Sequence, residues 1–342
     1  MLLLGPGPPV SSAQVGDQPD DPCPDRLTER VRRSPPARAW VRAARASGLP
    51  VGFYRVLRCD PPPHRPNLTV LPDALTTRVV VVKGRATGVR YLRGRTEETA
   101  HAGEVILSAG AIGSPHLLLL SGIGPAAHLR EHGIDVILDS PLVGQGLQDH
   151  PALSVRWTVR RPAPAQVEAG GFTGAQDSSV PDLLYQVIGS LSVLITSLAE
   201  AARGTVALRS ADPGDRPLVD TAYRVEDADL PRFLYGIEQL RAIASRRPLT
   251  RLISTEEEPG PGRDLRAYVR DRCAPAGDPT STVAMGPGDA PLEPSLRVRG
   301  IGGLRVVDAS AMPSAPRGST GAPTIALAER AAALIVGPRP PG

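Results

Sequence analysis

A short apolar run that ends at two small residues is the feature that most restricts the fold of this chain. Residues 105–107 are apolar and lie between Glu104 and Ser108, and Ala109 and Gly110 follow directly. Such a run is typical of a strand buried on both faces. A strand, a glycine turn and a leucine-rich helix in this order predict a doubly wound α/β sheet.

The neighbouring segments predict further elements of the same kind. Ser114 is expected to cap the helix after the glycine turn, with Pro115 at its first position. A second helix is predicted over residues 125–132, stopped by Gly133. Strands are predicted over residues 67–71, 78–82, 86–92, 134–138 and 303–308, a short helix over 36–48 and a last helix over 323–335. The last helix should bury one face, made of Ile325, Ala328, Ala332 and Ile335.

The character of the chain changes near residue 151. Residues 154–159 and 205–209 alternate like half-exposed antiparallel strands, and residues 229–244 are amphipathic. This pattern predicts a separate α+β region with an antiparallel sheet. Residues 1–35 are rich in Pro, Asp, Ser and Arg and have no apolar period, which predicts disorder.

Composition excludes several classes of function. The net charge of +4 is spread along the chain without a basic block, which argues against nucleic acid as a partner. No apolar run approaches the about 18 residues that a membrane span needs. Cys23, Cys59 and Cys273 are far apart and lack metal-ligand spacing, so we expect no metal site and three free thiols in a reducing cytoplasm.

Three segments, in the right order, carry a family resemblance. Residues 103–151 are similar to the second signature of the glucose–methanol–choline (GMC) family of flavin-dependent oxidoreductases, and within them residues 108–124 are the most characteristic. Residues 64–92 resemble the family's segment that places a strand against the adenine of the cofactor. Residues 300–335 resemble its C-terminal flavin segment.

The resemblance implies a fold and an activity. The expected fold is a discontinuous α/β FAD-binding domain, from residues 36–150 and 276–342, with an inserted α+β substrate domain over residues 151–275. Members of the family transfer a hydride from a small-molecule alcohol to FAD and pass the electrons to oxygen or to another acceptor. The scarcity of aromatic residues, 3% of the chain, argues against a sugar-stacking platform.

The resemblance also implies where the cofactor binds. Small residues at a strand–helix turn allow the backbone to approach a dinucleotide closely. The N-terminus of the last helix, where Ala322 and Pro323 stand, would favour negative charge on the flavin ring. Val79 would lie on the strand that meets the adenine, and Asp308 would end a buried strand at the ligand crevice, or would simply cap a turn. The expected cofactor-binding residues are Val79, Ser108, Ala109, Gly110, Asp308, Ala309, Ala322 and Pro323.

The phosphate-binding fingerprint of the family is not recognisable in the sequence. Its GxGxxG turn cradles the pyrophosphate at a helix N-terminus, and residues 5–9 are the nearest match. Prolines in that stretch remove the N–H donors that the turn requires. We therefore expect the N-terminal βαβ unit to be missing from this chain, and a separately encoded N-terminal half is one conceivable partner.

The catalytic pair of the family is also altered. Asp278 stands where the family has a histidine, seven residues before Met285, and Ser319 stands where the family has Asn or His. An aspartate with an ordinary pKa of ~3.9 is a weak base near neutral pH, so Asp278 is either the catalytic base or a solvated loop residue. Ser319 either donates to an alkoxide or caps the last helix. His116 and His150 are interpreted as packed, structural residues.

These departures leave two further hypotheses open beside the enzyme. The chain could be a catalytically silent binding or assembly protein that uses an uncovered sheet edge. It could also be a truncated remnant of such an enzyme.

Overall fold

The computed structural model describes residues 3–4, 34–53, 67–160, 167–174, 180–189, 191–199, 202–223 and 229–337. Most of the segment predicted to be disordered, residues 1–35, lies outside these ranges. Within the described part the helices are α1 (Pro35–Ala46), α2 (Gly110–Leu120), α3 (Ala126–Glu131), α4 (Asp229–Ala244), α5 (Leu265–Arg272) and α6 (Gly321–Val336). None of these described helices is long and apolar enough to cross a membrane.

The strands of the described residues form several separate sheets. They are β1 (Leu3–Leu4), β2 (Val51–Phe53), β3 (Ala74–Val82), β4 (Arg85–Arg93), β5 (Thr96–His101), β6 (Val105–Leu107), β7 (Ile123–Gly124), β8 (Leu138–Asp139), β9 (Gln145–Leu147), β10 (Pro151–Val159), β11 (Val167–Thr173), β12 (Leu183–Ile188), β13 (Ser192–Ser197), β14 (Gly204–Ala207), β15 (Leu218–Asp220), β16 (Ile253–Glu258), β17 (Ala274–Pro275) and β18 (Leu304–Val306).

A three-stranded parallel sheet brings distant parts of the chain together. Its order is β1, β6 and β18, with Leu107 paired to Val306. All residues of β6 and β18 are buried, as expected for strands covered on both faces. The predicted strands at residues 104–108 and 303–308 are therefore confirmed, and their carboxyl ends meet at one edge of the sheet.

The start of helix α2 differs from the prediction. The helix begins at Gly110, with Ala109 as its N-cap, and Ser114 and Pro115 lie inside it. Gly110 has a φ of +77°, which a glycine adopts without strain. Its N–H donates to the carboxylate of Asp308, which lies 198 residues away and supplies the capping acceptor that Ser114 was expected to supply.

The proline inside α2 leaves a backbone carbonyl to be satisfied from outside. Pro115 has no N–H, so the carbonyl of Ala111 lacks its usual partner four residues on. The hydroxyl of Thr282 donates to this carbonyl at 2.7 Å, and both residues are buried. This bond fixes α2 to the segment that leads into β18.

Thr282→Val is expected to lower the free energy of unfolding by about 1–3 kcal/mol, because it leaves the Ala111 carbonyl buried without a donor. Urea unfolding measures the loss. The control Thr324→Val removes a hydroxyl that bonds the Thr320 carbonyl within α6, and it should cost less than about 0.5 kcal/mol. Equal losses in the two variants would contradict the assigned role of Thr282.

The antiparallel sheet β3–β4–β5 lies beside the parallel sheet. The predicted hairpin is confirmed, and it turns at Lys83 and Gly84, which both have positive φ. The strand predicted over residues 67–71 is wrong: these residues are exposed and form no strand, and β3 begins only after the turn at Asp73. Strand propensity depends on side chains that pack against a neighbouring surface, and the side chains of residues 67–71 are exposed instead.

A seven-stranded antiparallel sheet forms the second region. Its order is β16, β10, β13, β12, β11 and β2, and β17 pairs with β10. Helices α1, α4 and α5 contribute to the same buried apolar cluster, in which α4 covers the sheet with Phe233 and Ile237. The predicted helix over residues 229–244 is confirmed as α4.

Two segments pack against elements of the other expected domain. Residues 36–53 were assigned to the flavin domain, but β2 pairs with β11 and Trp40 of α1 joins the core of the seven-stranded sheet. Residues 204–208 were assigned to the substrate domain, but β14 pairs with β9 and Leu208 joins the core around β6 and α2. In both cases a non-local pairing outweighs proximity along the chain.

Helix α6 buries less of its surface than its apolar pattern predicts. Of the expected face, Ala328 and Ala332 are exposed, and Ile325 and Ile335 are half-buried. Ala331 is the buried residue of the helix. The expected face is therefore wrong within the described part of the chain.

Candidate functional site

The turn after β6 and the end of β18 are joined by hydrogen bonds. The hydroxyl of Ser108 donates to the carbonyl of Val307 at 3.0 Å. The N–H of Gly110 donates to Asp308 Oδ2 at 2.9 Å, and the hydroxyl of Ser114 donates to the same oxygen at 2.5 Å. We call residues 108–110 with 308–309 the strand-end hinge. The structure thus brings together five of the eight expected cofactor-binding residues.

The side chain of Asp308 connects the two strand ends of this hinge by hydrogen bonds. Asp308 is only 6% exposed. Its Oδ1 accepts from both the N–H and the hydroxyl of Ser310. Through these bonds Asp308 caps a short 3-10 helix over Ala309–Ala311. The carboxylate therefore has four donors, two on each oxygen. Because these bonds engage its side chain, any contact of Asp308 with a cofactor would use its backbone.

The space in front of the hinge and of helix α6 is open. A Cβ added to Gly110 or to Gly321 would meet no described atom within 4 Å. Ala322 is exposed and Pro323 is half-buried at the first turn of α6. The N-cap of α6 is Thr320, without a side-chain capping bond, so the alternative that Ser319 caps this helix is wrong. Ser319 lies one residue earlier and is exposed.

Val79 occupies a different environment from the hinge. It is buried in β3, and its N–H donates to the hydroxyl of Ser121 at 2.8 Å. That hydroxyl also bonds the carbonyl of Leu117. The N–H of Val79 is thus engaged inside the protein, and its contact with an adenine stays a prediction.

Asp149 fixes the loop that carries Asp278. Its carboxylate accepts from the N–H of Gly277 at 3.0 Å and from the N–H of Asp278 at 3.2 Å. Burial raises the pKa of Asp149 above its ordinary value, and the neighbouring Asp278 adds to the rise, while the N–H donors oppose it. Sequence analysis missed Asp149, although its position directly before His150 was a usable signal.

The same short segment also fixes the loop that leads to Ser319. Gln148 Oε1 accepts from the N–H of Ala315 at 2.7 Å. The ring nitrogen Nε2 of His150 lies 2.8 Å from the carbonyl of Pro316, which can only accept, so Nε2 carries the proton. Residues 148–150 therefore connect the loops of both candidate catalytic residues, and His150 has the packed, hydrogen-bonded role that was expected.

A cavity of about 310 Å³ opens beside residues 148–150. Eight residues line it, namely Gln148, His150, Leu198, Ala199, Arg203, Ser314, Ala315 and Arg317. Asp278 and Ser319 are not among these described lining residues. Asp278 lies on the loop that Asp149 fixes, and Ser319 follows the loop that Gln148 and His150 fix. The two arginines of the wall were not singled out by sequence analysis, because exposed arginines are frequent in this chain.

The structure also shows the surroundings of His116 and of one cysteine. Burial lowers the pKa of His116, which lies on α2. Cys273 is a free, half-buried thiol whose Sγ lies 3.2 Å from the hydroxyl of Tyr223, and Cys23 and Cys59 lie outside the described residues. Among the described residues, no group of three His, Cys, Asp or Glu side chains could hold a metal ion.

Comparison with known proteins agrees with this geometry. Two family models, both described as GMC oxidoreductase, match residues 57–152 and 200–328. An oxygen-dependent choline dehydrogenase of Burkholderia orbicola is 36% identical over 324 residues, covering 81% of this chain and 57% of that protein. An alcohol dehydrogenase (acceptor) of Pseudomonas putida is 33% identical over 323 residues, covering 80% of this chain and 58% of that protein.

A solved structure shows the same fold. Pyridoxine 4-oxidase from Mesorbium loti superposes with a TM-score of 0.77 at 25% identity, covering 87% of this chain and 69% of that one. The chain thus spans somewhat more than half the length of the curated relatives.

Proposed function

The chain belongs to the GMC oxidoreductase family, and from this premise we propose that it is an FAD-dependent oxidoreductase acting on the CH–OH group of a small-molecule alcohol. The observation that carries the proposal is the strand-end hinge. Gly110 and Asp308 closely follow the carboxyl ends of β6 and β18, the edge of the sheet at which ligands bind in α/β folds.

The residues around the hinge fit a flavin nucleotide. Open space lies in front of Gly110, and the N-terminus of the 16-residue helix α6 adds a positive partial charge beside open space at Gly321. In this proposal the backbone of residues 108–110 and 308–309 approaches the nucleotide, and Ala322 and Pro323 face the flavin ring. Val79 would approach the adenine.

The chemistry requires an acceptor for a hydride and an acceptor for a proton. A flavin, when bound, would supply the first as the acceptor of the hydride from the carbinol carbon. Asp278 is the proposed acceptor of the hydroxyl proton, and Asp149 holds its loop in place through the N–H groups of residues 277 and 278. Ser319, exposed and one residue before α6, would donate to the alcohol oxygen.

A discontinuous flavin domain is part of this proposal. Two separate apolar cores support it, one around β6, α2 and β18 and one within the seven-stranded sheet. The second core would belong to the inserted substrate domain. An electron acceptor is the proposed partner.

Asp278→His is expected to raise the rate of alcohol-dependent dye reduction about 100-fold near neutral pH, because an imidazole is in general a stronger base there than a carboxylate. The assay uses protein saturated with FAD. Asp278→Asn, which cannot accept a proton, is the matched control and should be slower than the unmodified chain. Equal rates in all three proteins would exclude residue 278 as the base.

A second candidate function is a catalytically silent binding or assembly protein. Helix α6 favours it, since Ala331 is the residue of this helix that is buried among the residues that the structure describes. Purification from the host distinguishes the two: bound flavin with alcohol-dependent dye reduction supports the oxidoreductase, and a protein partner without bound flavin supports the assembly protein.

A further inference from the structure

The cavity beside residues 148–150 carries positive charge and no negative charge among its described lining residues. We propose that the substrate is a small alcohol that also bears an oxyanion, a carboxylate or a phosphate, held by Arg203 and Arg317. This inference deepens the proposed function and rests on it, because it names the substrate class of the proposed oxidoreductase.

The two guanidinium groups have no competing partner. No ion pair of Arg203 or Arg317 is found among the residues that the structure describes, and both side chains are exposed. Arginine presents a planar fork of donors that matches the two oxygens of a carboxylate or phosphate. Two such forks on one cavity wall favour an anion and disfavour a cation.

The nearby carboxylates are already engaged elsewhere. Asp149 accepts from two backbone N–H groups. Asp182 and Asp229, which lie next to the segment of Leu198, both form ion pairs with Arg232 at 3.1 and 3.3 Å. None of these groups forms an ion pair with either arginine of the cavity.

Two other polar residues of the wall, Gln148 and Ser314, can also donate to an anion. The oxygen of the Gln148 side chain is held by the N–H of Ala315, so the hydrogen-bonding group that remains is its amide NH₂ donor. Ser314 contributes a hydroxyl, which can donate. At about 310 Å³ the cavity lies at the small end of ligand sites, as expected for a small hydroxy acid.

Isothermal titration calorimetry at low ionic strength tests the inference without requiring turnover. The probes are L-lactate, the neutral analogue 1,2-propanediol, the cation choline, and ADP. We expect lactate to bind at least about tenfold more tightly than propanediol or choline, as one charge-assisted interaction implies. Arg203→Gln and Arg317→Gln should each weaken lactate binding about tenfold, and the double variant should abolish it.

Arg130→Gln is the matched control, because Arg130 is an exposed arginine of α3 outside the cavity wall. It should leave lactate binding unchanged. Equal binding of lactate and propanediol, or equal losses in all three single variants, would overturn the inference. Arginine-dependent binding of ADP without binding of lactate would also overturn it, because it would assign the arginines to a nucleotide phosphate.

The calorimetric result separates this inference from the proposed function. Arginine-dependent binding of lactate without any alcohol-dependent dye reduction would support the oxyanion site and contradict the oxidoreductase. Dye reduction with neutral alcohols, combined with no binding of lactate, would support the oxidoreductase and overturn the oxyanion site. Thermal melts confirm that each variant is folded before titration.

Discussion

Replacing Asp308 with alanine is expected to lower the free energy of unfolding by about 3–5 kcal/mol, one of the two largest effects expected of a single substitution here. The substitution removes an acceptor from four donors at once: the N–H of Gly110, the hydroxyl of Ser114, and both groups of Ser310. Each bond to an ionised carboxylate is stronger than one between neutral groups. Urea unfolding monitored by circular dichroism measures the loss.

Two companion variants show whether the hinge is the cause. Asp308→Asn keeps one acceptor oxygen and should lose about half as much stability. Asp139→Ala removes an exposed carboxylate that accepts a single bond from Ala126 N, and should cost less than about 1 kcal/mol. A loss in Asp308→Ala no larger than that in Asp139→Ala would show that Asp308 does not hold the two strand ends together.

Replacing Trp40 with alanine is expected to cost about 3–5 kcal/mol, because it opens a large cavity in the core of the seven-stranded sheet. Trp40 is 1% exposed and packs in the same cluster as the residues of α4. Its indole N–H has no hydrogen-bond partner within the described structure. Trp40→Phe should therefore cost far less than Trp40→Ala, since it keeps most of the apolar contact and removes an unsatisfied donor.

The result also tests the corrected place of helix α1. Val70→Ala, at a side chain that is 70% exposed, is the control and should change stability by less than about 0.5 kcal/mol. Chemical unfolding of the three variants gives the comparison. If Trp40→Ala were as mild as Val70→Ala, α1 would not be part of this core, and its original assignment to the other domain would stand.

The features that sequence analysis predicted correctly are those set by neighbours in the chain. The buried strand β6, the glycine turn at Gly110, the hairpin at residues 83–84 and the amphipathic helix α4 all follow from local pattern and turn chemistry. Helix α6 was also predicted, but its buried face was not, because burial depends on which other elements reach the helix.

The features that were missed depend on contacts between distant residues. The capping of α2 by Asp308 joins residues 198 positions apart, so Ser114 was given the role of the local cap. The bond from Thr282 to Ala111 likewise allows Pro115 to sit inside a helix, against its usual preference for the first turn. The pairing of β2 with β11 moved the domain boundary for the same reason.

The candidate site was predicted in part. The hinge residues were found from the family resemblance and from the small residues at the turn, and the structure brings them together. Asp149 was missed although it directly precedes His150, and the cavity arginines were missed because nothing in their local sequence shows that they line a cavity beside Ser314 and Ala315.

The most direct test of the account is hydrogen–deuterium exchange of the whole chain with and without FAD. A flavin nucleotide at the strand-end hinge should slow exchange in peptides that cover residues 108–112 and 308–312, and at the first turn of α6. Protection that is confined to other segments, or no protection at saturating FAD, would contradict a flavin site between the ends of β6 and β18.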